Sequence, residues 1–121
     1  MKVLICLFFL LPVTFIYGQK QTISARHAKN YMGKTVTVFD TIHEARLDNV
    51  SKDEMNVLFT GSDYDHRTFA LVFPQSILKR FSYNPNYKMV NHRFYATGKI
   101  VNYKGKPAMF IKNESQIKIP E

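Results

Sequence analysis

The sequence has no tryptophan, one cysteine, five glycines and five prolines in 121 residues. So little glycine and proline excludes collagen-like and low-complexity chains, and an apolar content of 45% excludes a disordered tail. The lone Cys6 excludes an internal disulfide and any cluster built on several thiolates. His27, His43, His66 and His92 are scattered, and none stands at metal-ligand spacing from a carboxylate or a second histidine. Neither a metal nor a cofactor is therefore expected. Glycine-rich phosphate loops, nucleophile motifs and H-E-x-x-H are also missing, so the reading is of a protein that is not an enzyme.

Long hydrophobic runs are missing too, with one exception at the start. Met1-Lys2 is followed by the apolar run Val3 to Leu11, then Pro12, and Ile16-Tyr17-Gly18 precedes the polar Gln19-Lys20-Gln21. That is the layout of a secretory signal peptide over residues 1–18, cleaved near Gly18. Residues 3–17 fall short of the ~20 apolar residues of a membrane span and contain Pro12 and Thr14, so no stable anchor is expected after cleavage. Residues 19–121 form one domain with no cysteine. Small secreted eukaryotic domains are commonly held by disulfides, so their absence points to a bacterial protein, periplasmic or secreted.

Acidic residues are scarce: nine against 17 Lys and Arg, a formal net charge of +8. They are also unevenly placed. Residues 19–78 hold seven bases and seven acids, whereas residues 79–121 hold nine bases and two acids. A polyanion would be drawn to the second half.

The order of elements can be read from pattern. Residues 24–33 read as a short helix, with Ser24 capping its N–H groups and Gly33 ending it in the left-handed region. Residues 34–47 alternate as a long β-branched strand, of the kind that bends and serves two sheets. A polar loop at 48–53 leads to strands at 55–60 and 68–73, and residues 74–81 read as a helix opened by Pro74. Residues 82–91, with the Asn84-Pro85 pair, read as a loop. Strands at 93–102 and 106–112 flank the turn Tyr103-Lys104-Gly105, and residues 116–119 form a short closing strand. Three strands, a helix and two strands make an all-β domain with small α content. It is the order of the five-stranded OB-fold, a Greek-key barrel, here with a short N-terminal helix and a helix between strands 3 and 4.

In these residues the chain resembles a family of small exported bacterial OB-fold domains of nucleic-acid-binding type. The likeness lies in Ala28-Lys29-Asn30-Tyr31-Met32-Gly33-Lys34-Thr35-Val36-Thr37-Val38, in Leu58-Phe59-Thr60-Gly61 with Tyr64, and in Phe69-Ala70-Leu71-Val72-Phe73. It continues in Thr97-Gly98-Lys99-Ile100, Tyr103-Lys104-Gly105-Lys106-Pro107 and Ser115-Gln116-Ile117. The chain departs from that pattern at Phe59, where such proteins carry Asn or Asp, and at Tyr64-Asp65, where they carry Tyr-Pro.

The expected ligand is single-stranded DNA or RNA, held by basic residues along the phosphates and by rings under the bases. The candidates interleave both types in strands four and five: Arg93, Tyr95, Tyr103, Lys104, Lys106 and Lys112. Tyr64, His66 and Arg67 join them from the loop after strand two. Phe59 is expected in the core. Asp48 and Asp53, in the first loop, give the site mixed charge, which keeps open an exported module that binds a protein, a small ligand or an oligosaccharide. Asp40, Glu44 and Arg67 are the residue types of an acidic catalytic site, but nothing in their spacing singles them out.

Overall fold

The computed structural model describes residues 21–50, 53–61 and 67–120. The expected signal peptide at residues 1–18, Tyr64 and His66 lie outside the described residues. In chain order the elements are β1 (Thr22–Ser24), a 3-10 helix (Ala25–Tyr31), β2 (Thr35–Val50), β3 (Asp53–Thr60), β4 (Phe69–Pro74), α1 (Gln75–Leu78) and α2 (Pro85–Met89). They continue as β5 (Arg93–Lys99), β6 (Val101–Tyr103), β7 (Lys106–Phe110), a 3-10 turn (Glu114–Gln116) and β8 (Ile117–Lys118).

The ladder runs β6-β7-β4-β3-β2-β5-β8, with β1 also paired to β2. Most pairs are antiparallel, while β1–β2 and β4–β7 are parallel. β5 and β6, near opposite ends of that path, are separated in the chain only by Ile100. Its N–H donates to the Lys34 carbonyl (2.9 Å) and its carbonyl accepts from the Gly33 N–H (2.7 Å). The sheet is thus barrel-like, wrapped by chain continuity rather than by an unbroken ladder.

β2 carries the architecture. Residues Thr35 to Thr41 pair with β5, and Ile42 to Val50 pair with β3. The register shifts between Ile42 and Glu44. A bulge adds one residue and bends its strand, so the strand leaves one half of the barrel and enters the other. Before the bulge Val36, Val38 and Ile42 point inward and are buried. After it the parity changes, and Ala45 packs on the core while Glu44, Arg46 and Asp48 face out.

The interior is filled by Leu58, Phe69, Leu71, Phe73, Phe94, Ile100, Met109 and Ile111, all fully buried. Each such side chain contributes roughly 1.5–3 kcal/mol. The N-terminal helix tucks Ala25 and Ala28 against this core. Gly33, at φ 81°, turns the chain out of that helix into β2, as its left-handed backbone allows.

Four local expectations are corrected. The first helix is 3-10, and Ser24 makes no side-chain cap; its Oγ lies instead 3.3 Å from His27 Nδ1. Pro74 is the last residue of β4 and the extended N-cap of the helix, which is only the single turn α1. Asn84-Pro85 starts a helix instead of marking a loop: the Asn84 side chain accepts from the Asn86 N–H (2.9 Å), with Pro85 in the first turn. The long fourth strand is interrupted at Ile100, where the backbone turns to pair with Lys34.

Gly98 faces the core from β5, and a Cβ there would stand 2.9 Å from Met109 Sδ and 3.0 Å from Gln116 Nε2. Gly98→Val should lower stability by about 1–3 kcal/mol through overpacking. Thermal unfolding reads this as a Tm drop of several degrees; an unchanged Tm would show that the site yields freely.

Candidate nucleic-acid interface

β3, β4 and β7 are buried on both faces, because a second apolar cluster lies on the outside of the barrel. Leu58, Leu71 and Met109 align across the three strands on the inner side. Their neighbours Val57, Phe59, Ala70, Val72 and Ala108 form the outer cluster, with Met55, Tyr103 and Phe110 packed on it. Phe59 is buried as expected, at 6% exposure, but in this outer cluster and not in the barrel interior. The Arg67 guanidinium lies over its ring, 4.0 Å from the centroid, and pairs with Glu44 of β2.

What covers the outer face is a contact between two hairpins. Asp48 stands near the end of β2 and Tyr103 at the end of β6, at opposite ends of the ladder β2-β3-β4-β7-β6. In a flat sheet that is four strand spacings, ~19 Å. Yet the Tyr103 hydroxyl donates to Asp48 Oδ2 at 2.9 Å. Lys104 Nζ reaches the same oxygen at 3.2 Å. The β2–β3 and β6–β7 hairpins therefore fold toward each other over the outer cluster. The β6–β7 turn is tight, with Lys104 at φ 51° and Gly105 at φ 87°, the two-residue form that suits the twist of antiparallel strands.

Between the hairpins lies a pocket of about 310 Å³ lined by Arg46, Asp48, Phe59, Arg67, Tyr103, Lys104 and Lys106. Two of its four cations are already matched, Arg67 by Glu44 and Lys104 by Asp48. Arg46 and Lys106 have no ion-pair partner among the described residues. The Tyr103 phenol is pushed up to about 12, first by burial and then by its bond to Asp48 and that carboxylate's charge. It stays a neutral donor at physiological pH. Chemically the pocket offers two available cations, a guanidinium plane backed by an aromatic ring, and one carboxylate.

Of the residues singled out in the sequence, Arg67, Tyr103, Lys104 and Lys106 come together here. Arg93 and Tyr95 do not; they lie on the outer side of β5, where Tyr95 lines a separate hollow with Thr37, Thr97, Ser115, Gln116 and Lys118. Lys112 follows β7, its N–H donated to Gln116 Oε1 at 2.6 Å, and it lines neither hollow. Tyr64 and His66 are outside the described residues. Sequence reasoning missed Arg46 and the roles of Asp48 and Glu44. The signal for these three was their i, i+2, i+4 spacing on one strand, which puts them on a common face.

The Tyr103–Asp48 bond has a consequence for titration. Tyr103 has a raised pKa, so the stability it contributes is present below the unfolded value of ~10 and is lost as pH climbs through 12. In an ultraviolet titration its phenolate should appear well above the ordinary tyrosine range, near 12. Asp48→Asn should bring that ionisation down, though not fully, since burial remains. An unchanged curve would mean that the carboxylate does not act on the phenol.

No family model matches the sequence, and no curated protein does. Solved structures do match. The crystal structure of yeast Stn1 and Ten1 is similar at a TM-score of 0.58 and 8% identity, over 87% of this chain and 65% of that one. The chain thus spans just under two thirds of that neighbour. A candidate nucleic acid-binding lipoprotein from Klebsiella pneumoniae is similar at a TM-score of 0.48 and 15% identity, over 84% of this chain and 92% of that one. A candidate aspartyl-tRNA synthetase from Leishmania major matches at 0.47 and 12% identity, over 85% of this chain and 21% of that one. At such identities likeness speaks to fold alone. Together with the strand order, the likeness to the yeast structure makes this chain an all-β domain with an OB-fold barrel.

Proposed function

We propose that the protein is an exported, non-catalytic domain that binds single-stranded nucleic acid in the pocket between the β2–β3 and β6–β7 hairpins. The observation that carries the reading is the pairing of two unmatched cations, Arg46 and Lys106, with the Arg67–Phe59 stack and the Tyr103 ring in one hollow. OB barrels take oligonucleotides on this outer face between these two loops. Bases stack on guanidinium planes and rings, while cations follow the phosphates. The leader at residues 1–18 supports export, and the absence of any catalytic motif supports binding alone.

Asp48 and Glu44 favour a second reading, an exported module for an oligosaccharide or a protein, because Asp48 in the pocket and Glu44, paired with the pocket's Arg67, weaken its pull on phosphate.

The two separate in one experiment: fluorescence anisotropy with a labelled single-stranded oligonucleotide at several salt concentrations. Binding should fall linearly on a log–log plot, with a slope of about 0.7 per phosphate neutralised. Arg46→Ala and Lys106→Ala should each weaken binding and reduce the slope by about 0.7–1. Lys104→Ala should cost less, because Lys104 is already committed to Asp48. A wild-type protein that ignores the oligonucleotide at low salt would falsify the reading and favour the second.

A further inference from the structure

The other half of the sheet has an uncovered outer face of different character. β2 before its bulge turns Thr35, Thr37, Phe39 and Thr41 outward, and β5 turns out Arg93, Tyr95, Thr97 and Lys99. Phe39 and Tyr95 are direct cross-strand partners, with ring centroids 4.9 Å apart and planes at 33°. Beside them Thr37 and Thr97 bond to each other through their hydroxyls at 2.7 Å. Lys118 of β8 stands opposite Tyr95 on its far side. Tyr95 is 37% exposed, on a sheet face whose hollow it shares with Thr97 and Gln116.

Charge says what would cover it. Arg93, Lys99 and Lys118 are exposed on this face, and no outward position of β1, β5, β8 or the first part of β2 is acidic. Asp40 alternates to the other side of β2, and its Oδ1 accepts from the Thr41 N–H at 2.8 Å. The hollow beside Tyr95, about 330 Å³, has a rigid wall in Gln116. That amide is spent on the Lys112 N–H (2.6 Å), the Asn113 N–H (3.2 Å) and the Thr97 carbonyl (3.0 Å). Rings flanked by cations with no carboxylate among them are complementary to stacked bases joined by phosphates.

We propose that Phe39 and Tyr95, with Arg93 and Lys118, form a second stacking station for the same single-stranded nucleic acid, an inference that rests on the function proposed above. The β2 bulge makes the path continuous. Because it changes parity between Ile42 and Glu44, Phe39 and Thr41 on one side of it and Arg46 on the other all face outward. Phe39 and Arg46 are seven residues apart, ~23 Å along a strand. That span fits the roughly 4–16 nucleotides that one OB domain covers. A short oligonucleotide fills the hairpin pocket alone, and a longer one also reaches the Phe39–Tyr95 pair.

The test is anisotropy with labelled oligothymidylates of increasing length, using the whole protein, Tyr95→Ala, Tyr95→Phe, and the pocket variant Arg46→Ala with Lys106→Ala. Wild type should gain affinity in a step once the oligonucleotide spans both stations. Tyr95→Ala should remove that step, a loss of roughly 5- to 160-fold for long oligonucleotides and none for short ones, from about 1–3 kcal/mol per stacked base. Tyr95→Phe, which keeps the ring, should restore it. The pocket variant should weaken short and long oligonucleotides alike. If Tyr95→Ala matches wild type at every length while the pocket variant still weakens binding, the second station is wrong and the pocket reading stands. If the pocket variant binds as wild type does and Tyr95→Ala does not, the pocket reading falls and the station on β5 remains. A wild-type protein that binds no length overturns both.

Discussion

The domain depends on one long strand having two partners. β2 spans the 16 residues Thr35–Val50, and it serves both halves because its register shifts between Ile42 and Glu44. The same shift decides which side chains reach solvent. Without the extra residue, Glu44, Arg46 and Asp48 would point into the core, where unpaired charges cost several kcal/mol each. With it, those three residues line the outer face above Phe59 and Val57. The edge of β2 opposite β5 is shared between β1 and β3, so a change at the bulge would be felt in both sheets.

A consequence of that placement is the bond between Asp48 and Tyr103. It draws two hairpins together over an apolar outer cluster that the barrel could not otherwise hide. The charges there are arranged in matched and unmatched pairs. Glu44 pairs with the Arg67 that lies over the Phe59 ring, and Asp48 holds Lys104, while Arg46 and Lys106 have no ion-pair partner among the described residues. Carboxylates in a basic pocket reduce its attraction for phosphate, but they also fix the long cationic side chains that would otherwise lose rotamer freedom on binding.

Much of the fold was legible in the sequence because it rests on local chemistry. The β-branched alternation of Val36, Val38 and Ile42 announced β2, and Gly33 and Lys104-Gly105 marked turns that need positive φ. Where local reading failed, the cause was also local. Asn84-Pro85 is both a loop breaker and a helix start, and only the Asn84 bond to the Asn86 N–H chooses between them. The candidate site was legible as a set of residue types and not as a place. Arg93 and Tyr95 lie close in sequence to Tyr103, Lys104 and Lys106, yet Ile100 interrupts the strand between them, and Tyr95 lines a different hollow from the other three.

What the sequence determined by itself is the class of the domain: an all-β chain, unevenly basic, with no cysteine after Cys6 and elements in the order of an OB barrel. Composition and periodicity act residue by residue, so they survive without knowledge of neighbours. Which face Phe59 looks onto, which cations are already spent, and that Phe39 meets Tyr95 were decided only by the tertiary structure. The reason is geometric. A strand's alternation has a period of two, and one bulged residue reverses every side chain beyond it, so the position of that residue must be known before any surface can be drawn.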